Sequence, residues 1–263
     1  MTDDIFLLAD IGNTSIKLGF GDKNGIRHSF SLPGGNSTYT SDSLGLLLLR
    51  MLECSEYAPE EITAALACSV VPDLEPPLRQ ACKKYLGRDL ILVPSDLPIP
   101  LENRYAEPLQ VGADRLVGAY AARMLFPAPA SIICVDYGTA TTFDCVEGNT
   151  YLGGLICPGV LSSASALSSR TAKLPQITLE TEDRTPIPGR STSVSMNHGF
   201  IFGFAAMTEG LCARLAEGLA RPNFVLATGG FASHLEKVSS CFDALRPELL
   251  LEGLRILYVN TEQ

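Results

Sequence analysis

Two short segments of the chain repeat one pattern of residues, and the pattern is suited to holding phosphate. An apolar run leads to Asp10, one further residue and Gly12, and the same order recurs at Asp136 and Gly138. Small hydroxyl or amide side chains follow each glycine, and a second apolar run comes next. A tight turn of this kind points backbone N–H groups and hydroxyls outward, where they can bind phosphate oxygens, while the aspartate can hold a cation or its water shell. We therefore expect a nucleotide held between two similar half-folds.

A single Asp-x-Gly after a strand is usually only a turn, in which the aspartate bonds its own backbone and the glycine takes positive φ. The recurrence of strand, Asp-Gly turn and strand in both copies argues against that simpler interpretation. A second site candidate is Gly112-Ala113-Asp114-Arg115, at the start of a predicted helix. Asp114 could be a first-turn acid favoured by the helix dipole, with Arg115 its exposed neighbour. Alternatively, Asp114 accepts a proton from a substrate hydroxyl, and Arg115 holds an anionic group of the substrate.

The elements that would position these residues alternate between strands and helices, which predicts an α/β fold. Predicted strands are 5–9, 15–21, 25–32, 62–71, 90–93, 132–135, 141–147, 150–157 and 224–227. Predicted helices are 43–52, 74–86, one from about 112, 160–169, 193–219 and 249–258. Ser41 or Asp42 is the expected N-cap of the first helix. We expect two domains, an N-terminal half over 1–115 and a C-terminal half over 116–263.

The composition limits which binding partners and which cellular compartment we expect for this chain. The 263 residues are 46% hydrophobic, which is enough for a substantial core. The net charge is −9, and such an acidic chain lacks the positive surface that binds nucleic acid or an anionic membrane. The acidic start is unlike a signal peptide, and the longest apolar runs are too short to span a bilayer. The eight cysteines form no Cys-x-x-Cys pair and the three histidines are scattered, so we expect reduced core thiols, no zinc site and a cytoplasmic location.

Together, these segments resemble the type III pantothenate kinases, a family of the actin-like ATPase and sugar-kinase superfamily, through nearly the whole chain. The segments that carry the resemblance are Asp10-x-Gly12-Asn13-Thr14 with Lys17 and Gly19, Tyr105-x-x-Pro108, Gly112-Ala113-Asp114-Arg115, Asp136-x-Gly138-Thr139-Ala140-Thr141-Thr142, Gly153-Gly154-x-Ile156-x-Pro158-Gly159, Thr171-Ala172-Lys173-Leu174-Pro175, Thr192, Thr228-Gly229-Gly230 and Glu252-Gly253-Leu254.

The resemblance implies a fold and an activity. The fold would be two similar ribonuclease H-like (actin-like ATPase) half-folds with a cleft between them. The activity would be phosphorylation of the 4′-hydroxyl of pantothenate by Mg-ATP, the first step of coenzyme A biosynthesis. Phosphoryl transfer depends on positioning and charge neutralisation more than on covalent help from the protein, which suits these residue types.

The resemblance also implies the roles of individual residues. Asp10 would hold Mg²⁺ through water, Asp114 would be the general base, and Asp136 would bind a monovalent cation, K⁺ or NH₄⁺. The implied ATP-binding residues are Asp10, Ile11, Gly12, Asn13, Thr14, Ser15, Ile16, Lys17 and Thr139. The implied pantothenate-binding residues are Tyr105, Gly112, Ala113, Asp114, Arg115 and Thr192.

A homodimer is also expected, with Thr192 reaching the partner's pantothenate. The long helix from about 193 carries Gly199 and Gly203 one turn apart, which would let another backbone approach closely. The apolar stripe of this helix could instead pack wholly within its own subunit. Val194 and His198 depart from many relatives, and we expect His198 to be a packed or capping residue.

Three other functions stay open at this point. The chain could be another kinase or phosphatase of the same superfamily acting on a sugar or acetate, although the Gly-Ala-Asp-Arg segment and the absence of a Cys/His zinc cluster disfavour the sugar-kinase branch. It could be a non-catalytic transcriptional accessory factor, or a structural actin-like scaffold. The presence of all three aspartates favours a catalyst.

Overall fold

A computed structural model describes residues 4–34, 38–171 and 174–261, so Ala172 and Lys173 of the 171–175 motif lie outside the described residues. The strands are β1 (Ile5–Ile11), β2 (Ser15–Asp22), β3 (Gly25–Pro33), β4 (Ile62–Ser69), β5 (Leu90–Val93), β6 (Glu102–Asn103), β7 (Ser131–Tyr137), β8 (Ala140–Glu147), β9 (Thr150–Pro158), β10 (Asn223–Thr228) and β11 (Ala244–Leu245). The helices are α1 (Ser41–Cys54), α2 (Glu75–Ala81), α3 (Ala113–Leu125), α4 (Val160–Ser169), α5 (Thr192–Glu217), α6 (Ala232–Glu236) and α7 (Leu249–Thr261).

The first unit is built on a five-stranded sheet in the order β3-β2-β1-β4-β5. Strands β1, β2 and β3 form an antiparallel meander, whereas β4 and β5 continue the sheet in parallel with β1. The sheet is covered on both faces, because alternate residues of β1 enter different cores. Leu7 packs with residues of α1 and α2, and Leu8 packs with residues of α3 and α7.

The second unit repeats this arrangement in a six-stranded sheet, β11-β10-β7-β8-β9-β6. Its strands β9-β8-β7-β10-β11 follow the same order and directions as the five strands of the first sheet. Strands β1 and β7 are buried at every position except Asp10 and Asp136, which occupy equivalent places. This internal repeat confirms the predicted α/β class with two similar half-folds.

The compact units do not follow a simple cut of the chain. The first unit takes in residues up to Leu101, then Ala106–Met124 and the segment from Glu248, and the second takes in Glu102–Tyr105 and Leu125–Pro247. Helices α3 and α7 therefore both pack in the first unit, because their apolar faces cover the side of the sheet that carries Phe6 and Leu8.

Several local expectations are corrected. The N-cap of α1 is Thr40 rather than Ser41 or Asp42, because its side chain accepts a hydrogen bond from the Ser43 amide. The predicted helix over 74–86 is α2 followed by a π-helical turn at Cys82–Leu86. The short elements α6, β6 and β11 were not predicted, since two to five residues carry no periodicity.

Helix α5 differs from its expected surroundings. One of its 18-residue windows has a mean hydropathy of 1.2, so by length and composition alone this helix meets the criteria for a membrane span, as core helices of soluble proteins also do. It contacts α4, α6 and β7 of its own unit. Apart from adjacent residues and the nearby backbone of α5 itself, no atom of the described chain lies within 4 Å of the position a Cβ would take on Gly199, Gly203 or Gly210. Within the described residues, no other backbone packs against these glycines.

Candidate functional site

Asp10 lies at the end of β1 with a charged group or a donor on each neighbouring strand. It pairs with Lys17 of β2 on one side and with Cys68 of β4 on the other. The Cys68 thiol donates a hydrogen bond to Asp10 Oδ1, with Sγ and Oδ1 3.6 Å apart. Burial raises the pKa of the Asp10 carboxyl to about 7, and the nearby negative charge of Asp114 acts in the same direction. A cation bound beside Asp10 would therefore stabilise its charged form.

The turn after Asp10 presents an exposed polar tip. The Gly12 amide donates to the carbonyl of Ser15 over 3.0 Å, which closes the turn, and the side chains of Asn13 and Thr14 are exposed. The side chains of the flanking residues Ile11 and Ile16 are buried in the core of the first unit. Those two isoleucines can therefore meet a nucleotide only through their backbone.

Asp114 lies in the first turn of α3, and the neighbouring backbone orients its side chain. The amide of Arg115 donates to Asp114 Oδ1 over 2.8 Å. A Cβ on Gly112 would come within 2.4 Å of that same oxygen, so any larger residue there would displace the carboxylate from this position. Burial raises the pKa of Asp114, and the hydrogen bond and charge of Arg115 partly oppose the rise. Asp114 is both a first-turn acid and a carboxylate close enough to repel Asp10.

The equivalent turn of the second unit lies beside the start of a helix. The Gly138 amide donates to the Ala140 carbonyl over 3.0 Å, and the hydroxyl of Ser162 donates to the Thr139 carbonyl over 2.8 Å. Ser162 lies in the first turn of α4, whose N-cap is Gly159. A turn that adjoins a helix N-terminus offers several N–H groups to an anion.

Asp136 is the next-to-last residue of β7, and a glycine packs against it. Gly229, at φ +91°, leaves room where a Cβ would approach Asp136 Oδ1 to 2.3 Å. The Thr228-Gly229 turn after β10 therefore fits closely against this carboxylate, and only a glycine is accommodated there.

Thr192 lies at the first turn of α5, where the Ser191 side chain caps the helix by accepting from the Val194 amide over 3.3 Å. A cavity of about 700 Å³ opens at this end of the helix. Its lining residues are Leu167, Leu174, Gly189, Arg190, Ser191, Thr192, Ser195, Met196, Gly199 and Phe200. The cavity has an apolar wall, the positively charged side chain of Arg190 and the N-terminus of α5.

The structure brings Asp10, Lys17 and Asp114 together in the first unit, with Gly112, Ala113 and Arg115 at the start of α3. It places Tyr105, Asp136, Thr139 and Thr192 in the second unit, where the Tyr105 ring packs against Gly153.

Two neighbours of Asp10 were missed from sequence. They are Cys68, which was interpreted as a core thiol, and Glu248, whose charge also raises the pKa of Asp10. The strand register that brings Cys68 to Asp10 has no local signal in the sequence.

His198 is a packed residue, as expected. It is buried, and its Nδ1 accepts from the Ile187 amide over 3.1 Å. Its Nε2 lies 3.2 Å from the carboxylate of Asp183. These contacts hold the loop before α5 against the helix. His198 is therefore a structural residue and not part of the group around Asp10 and Asp114.

Comparisons with known proteins agree with this arrangement. The family model for type III pantothenate kinase matches residues 6–214. A type III pantothenate kinase of Oleidesulfovibrio alaskensis is 58% identical over 98% of this chain and 97% of its own length, and one of Dehalococcoides mccartyi is 38% identical over 95% of each chain.

Solved structures support the fold at low identity. A Baf family transcriptional activator from Campylobacter jejuni aligns with a TM-score of 0.59 at 18% identity, over 97% of this chain and 98% of that one. A ROK family glucokinase from Streptomyces griseus aligns with a TM-score of 0.51 at 12% identity, over 96% of this chain and 98% of that one. With the family model spanning most of the chain and relatives matched over nearly their full length, the chain belongs to the type III pantothenate kinase family.

Proposed function

We propose that the chain transfers the γ-phosphoryl group of ATP to the 4′-hydroxyl of pantothenate, the first step of coenzyme A biosynthesis. The observation that carries the proposal is the pairing of Asp10 and Asp114 at the end of β1 and the start of α3, in a chain of this family. One carboxylate is then available for the metal and the other for the acceptor hydroxyl, which is the division of labour that phosphoryl transfer requires.

The test is an assay of ADP release with purified protein, Mg²⁺ and a potassium salt. We expect release to depend on pantothenate and to yield a product heavier by one phosphoryl group. Glucose and acetate run in parallel address the other kinases of the superfamily. Release that depends on one of those acceptors, or no acceptor-dependent release at all, would replace this proposal by another kinase activity or by a non-catalytic role.

Mg²⁺ fits the donors of the first unit. Asp10 supplies hard carboxylate oxygens, and the described part of the chain holds no cluster of three or more metal-binding side chains. Mg²⁺ commonly keeps several waters and binds proteins through one or two carboxylates together with substrate phosphates. Asp10 would hold the hydrated ion, and the ion would neutralise phosphate charge when bound. Lys17 and the amides of the 12–14 turn bind phosphate oxygens.

The remaining roles follow from the chemistry of each side chain. Asp114 accepts the proton of the attacking hydroxyl, and Arg115 holds an anionic or polar group of pantothenate. Thr139 and the adjoining N-terminus of α4 bind phosphate in the second unit. Tyr105 and Thr192 contact pantothenate, and the cavity at Thr192, with its apolar wall and Arg190, suits a substrate with a branched apolar middle and a carboxylate end.

A monovalent cation, K⁺ or NH₄⁺, is proposed at Asp136. The Asp136 carboxylate and the carbonyls of the neighbouring turn offer oxygen ligands, which such cations prefer. We expect replacement of K⁺ by Na⁺ or by a bulky organic cation, at fixed ionic strength, to lower kcat by about 10-fold, since a fixed positive charge beside the phosphates is lost. Asp136→Asn should abolish the response to K⁺, whereas Glu182→Gln, an exposed change in the same unit, should keep it. Equal rates in K⁺ and in the organic cation would refute the requirement.

A homodimer is proposed through α5, with Thr192 completing the partner's pantothenate site. The support is the exposed row of small residues Gly199, Gly203, Ala206 and Gly210 along this helix. Such a row lets a second helix approach closely, and isologous pairing is the commonest closed assembly.

The dimer proposal predicts that Gly203→Leu weakens association and raises KM for pantothenate together, because the leucine would separate the two helices. Glu236→Leu, which adds a leucine to the exposed side of α6, is the control and should change neither quantity. Light scattering at micromolar protein concentration measures the assembly. A fully active 28 kDa monomer would contradict both the dimer and the shared site.

A further inference from the structure

Cys68 stands directly beside Asp10, on the neighbouring strand β4 and in register with it. Its thiol is fully buried, and Sγ lies 3.6 Å from Asp10 Oδ1. This separation is in the usual range for a hydrogen bond that involves sulfur, whose radius exceeds that of oxygen. The S–H group is thus directed at one named oxygen of the carboxylate.

The internal repeat sets this contact apart from ordinary core packing. Thr228 of β10 pairs with Asp136 as Cys68 of β4 pairs with Asp10. The Thr228 hydroxyl donates to the carbonyl of Arg246 over 2.7 Å. The equivalent donor therefore serves the backbone in the second unit and the aspartate in the first.

We propose that Cys68 is a positioning residue for Asp10. Its thiol donates to Oδ1 and fixes the rotation of the carboxylate, so that Oδ2 is presented to the water shell of the nucleotide-bound Mg²⁺. The inference rests on the proposed function, in which Asp10 holds Mg-ATP.

The neighbours of Asp10 explain why a neutral donor matters at this position. Asp114 and Glu248 repel the carboxylate, whereas Lys17 attracts it. Because these charges act on the carboxylate with opposite signs, they can turn it away from its metal-binding orientation. A donor on the neighbouring strand opposes that rotation, as groups that hydrogen-bond a metal ligand commonly do.

The test compares three buried substitutions in the full-length protein. Cys68→Ala removes the donor, Cys68→Ser keeps a donor of similar size, and Cys82→Ala removes an equally buried thiol from the core of the same unit. Binding of Mg-ADP by calorimetry and of Mn²⁺ with ADP by electron paramagnetic resonance gives readouts that do not require turnover. Cys68→Val, which fills the space without a donor, replaces the alanine variant if that variant does not fold.

We expect Cys68→Ala to raise the Kd for Mg-ADP and for Mn²⁺ by about 10-fold, the lower end for losing a group that orients a metal ligand. Cys68→Ser should restore the affinity, Cys82→Ala should leave it at the wild-type value, and KM for pantothenate should be the same in all three. If Asp10→Asn weakens metal binding while Cys68→Ala and Cys68→Val behave like Cys82→Ala, the positioning role is overturned and the proposed function stands. If Asp10→Asn itself leaves Mn²⁺ binding unchanged, the metal role of Asp10 fails and this inference fails with it.

Discussion

We expect Asp114→Asn to lower kcat by about 10²–10⁴-fold, the usual contribution of general acid–base catalysis, while leaving the affinity for Mg-ADP nearly unchanged. Asparagine preserves the shape of the side chain and can still accept the hydrogen bond from the Arg115 amide. It cannot accept the proton of the acceptor hydroxyl. Steady-state kinetics at saturating substrates, with calorimetry for the nucleotide, separates these two effects.

The pH dependence sharpens this prediction. Burial raises the pKa of Asp114, so the group becomes protonated at a higher pH than an ordinary aspartate. A protonated carboxyl cannot act as a base, and kcat should therefore fall toward acid pH, beginning at a higher pH than an ordinary aspartate would give. At saturating Mg-ATP, where the bound ion keeps Asp10 ionised, Asp114→Asn should lose this acid limb, and Glu107→Gln, an exposed change in the preceding segment, should keep it. Turnover by Asp114→Asn within about threefold of wild type would rule out the role.

The parts of the site that were predictable from sequence are those encoded locally. The apolar runs that flank Asp10 and Asp136 gave β1, β2, β7 and β8 with small boundary errors, because a strand that ends in an Asp-Gly turn carries its signal within a dozen residues. The similarity of the two turns also predicted the two similar half-folds.

The parts that were not predictable depend on pairing between distant segments. Cys68 reaches Asp10 only through the register of β1 with β4, and α7 joins the first unit because its leucines cover Phe6 and Leu8. Strand β6 is two residues long and pairs with β9 from inside a proline-rich connector. Each of these contacts is set by sheet order and packing, for which a single sequence has no local pattern.

The second large effect is expected from Asp10→Asn, which should abolish most activity and at the same time stabilise the metal-free protein near pH 8. The asparagine carries no charge to bind hydrated Mg²⁺, so a loss of at least about 10²-fold in kcat/KM for Mg-ATP is expected. The same loss of charge explains the gain in stability. The folded protein holds Asp10 beside Asp114 and Glu248, and burial raises its pKa from 3.8 to about 7.

The sign of the stability change follows from proton linkage. Between pH 3.8 and about 7, the folded state retains the Asp10 proton that the unfolded state has released, so the free energy of unfolding of the wild type falls as the pH rises. Over that window, the loss is at most about 4 kcal/mol. Asp10→Asn has no such proton, and its advantage over wild type should grow from about pH 4 to 7 and then stay constant.

Urea unfolding at pH 5 and pH 8, with EDTA present, measures this difference. Exposed Asp73→Asn is the control and should follow the wild type at both values of pH. Mg-ADP in place of EDTA should narrow the gap at pH 8, because the ligand binds the folded wild type through the charge that destabilises it. An Asp10→Asn protein that is less stable than wild type at pH 8 would contradict the buried, repelled carboxylate described above. A stabilised and inactive variant would indicate that the protein keeps a destabilising charge at this position because catalysis requires it.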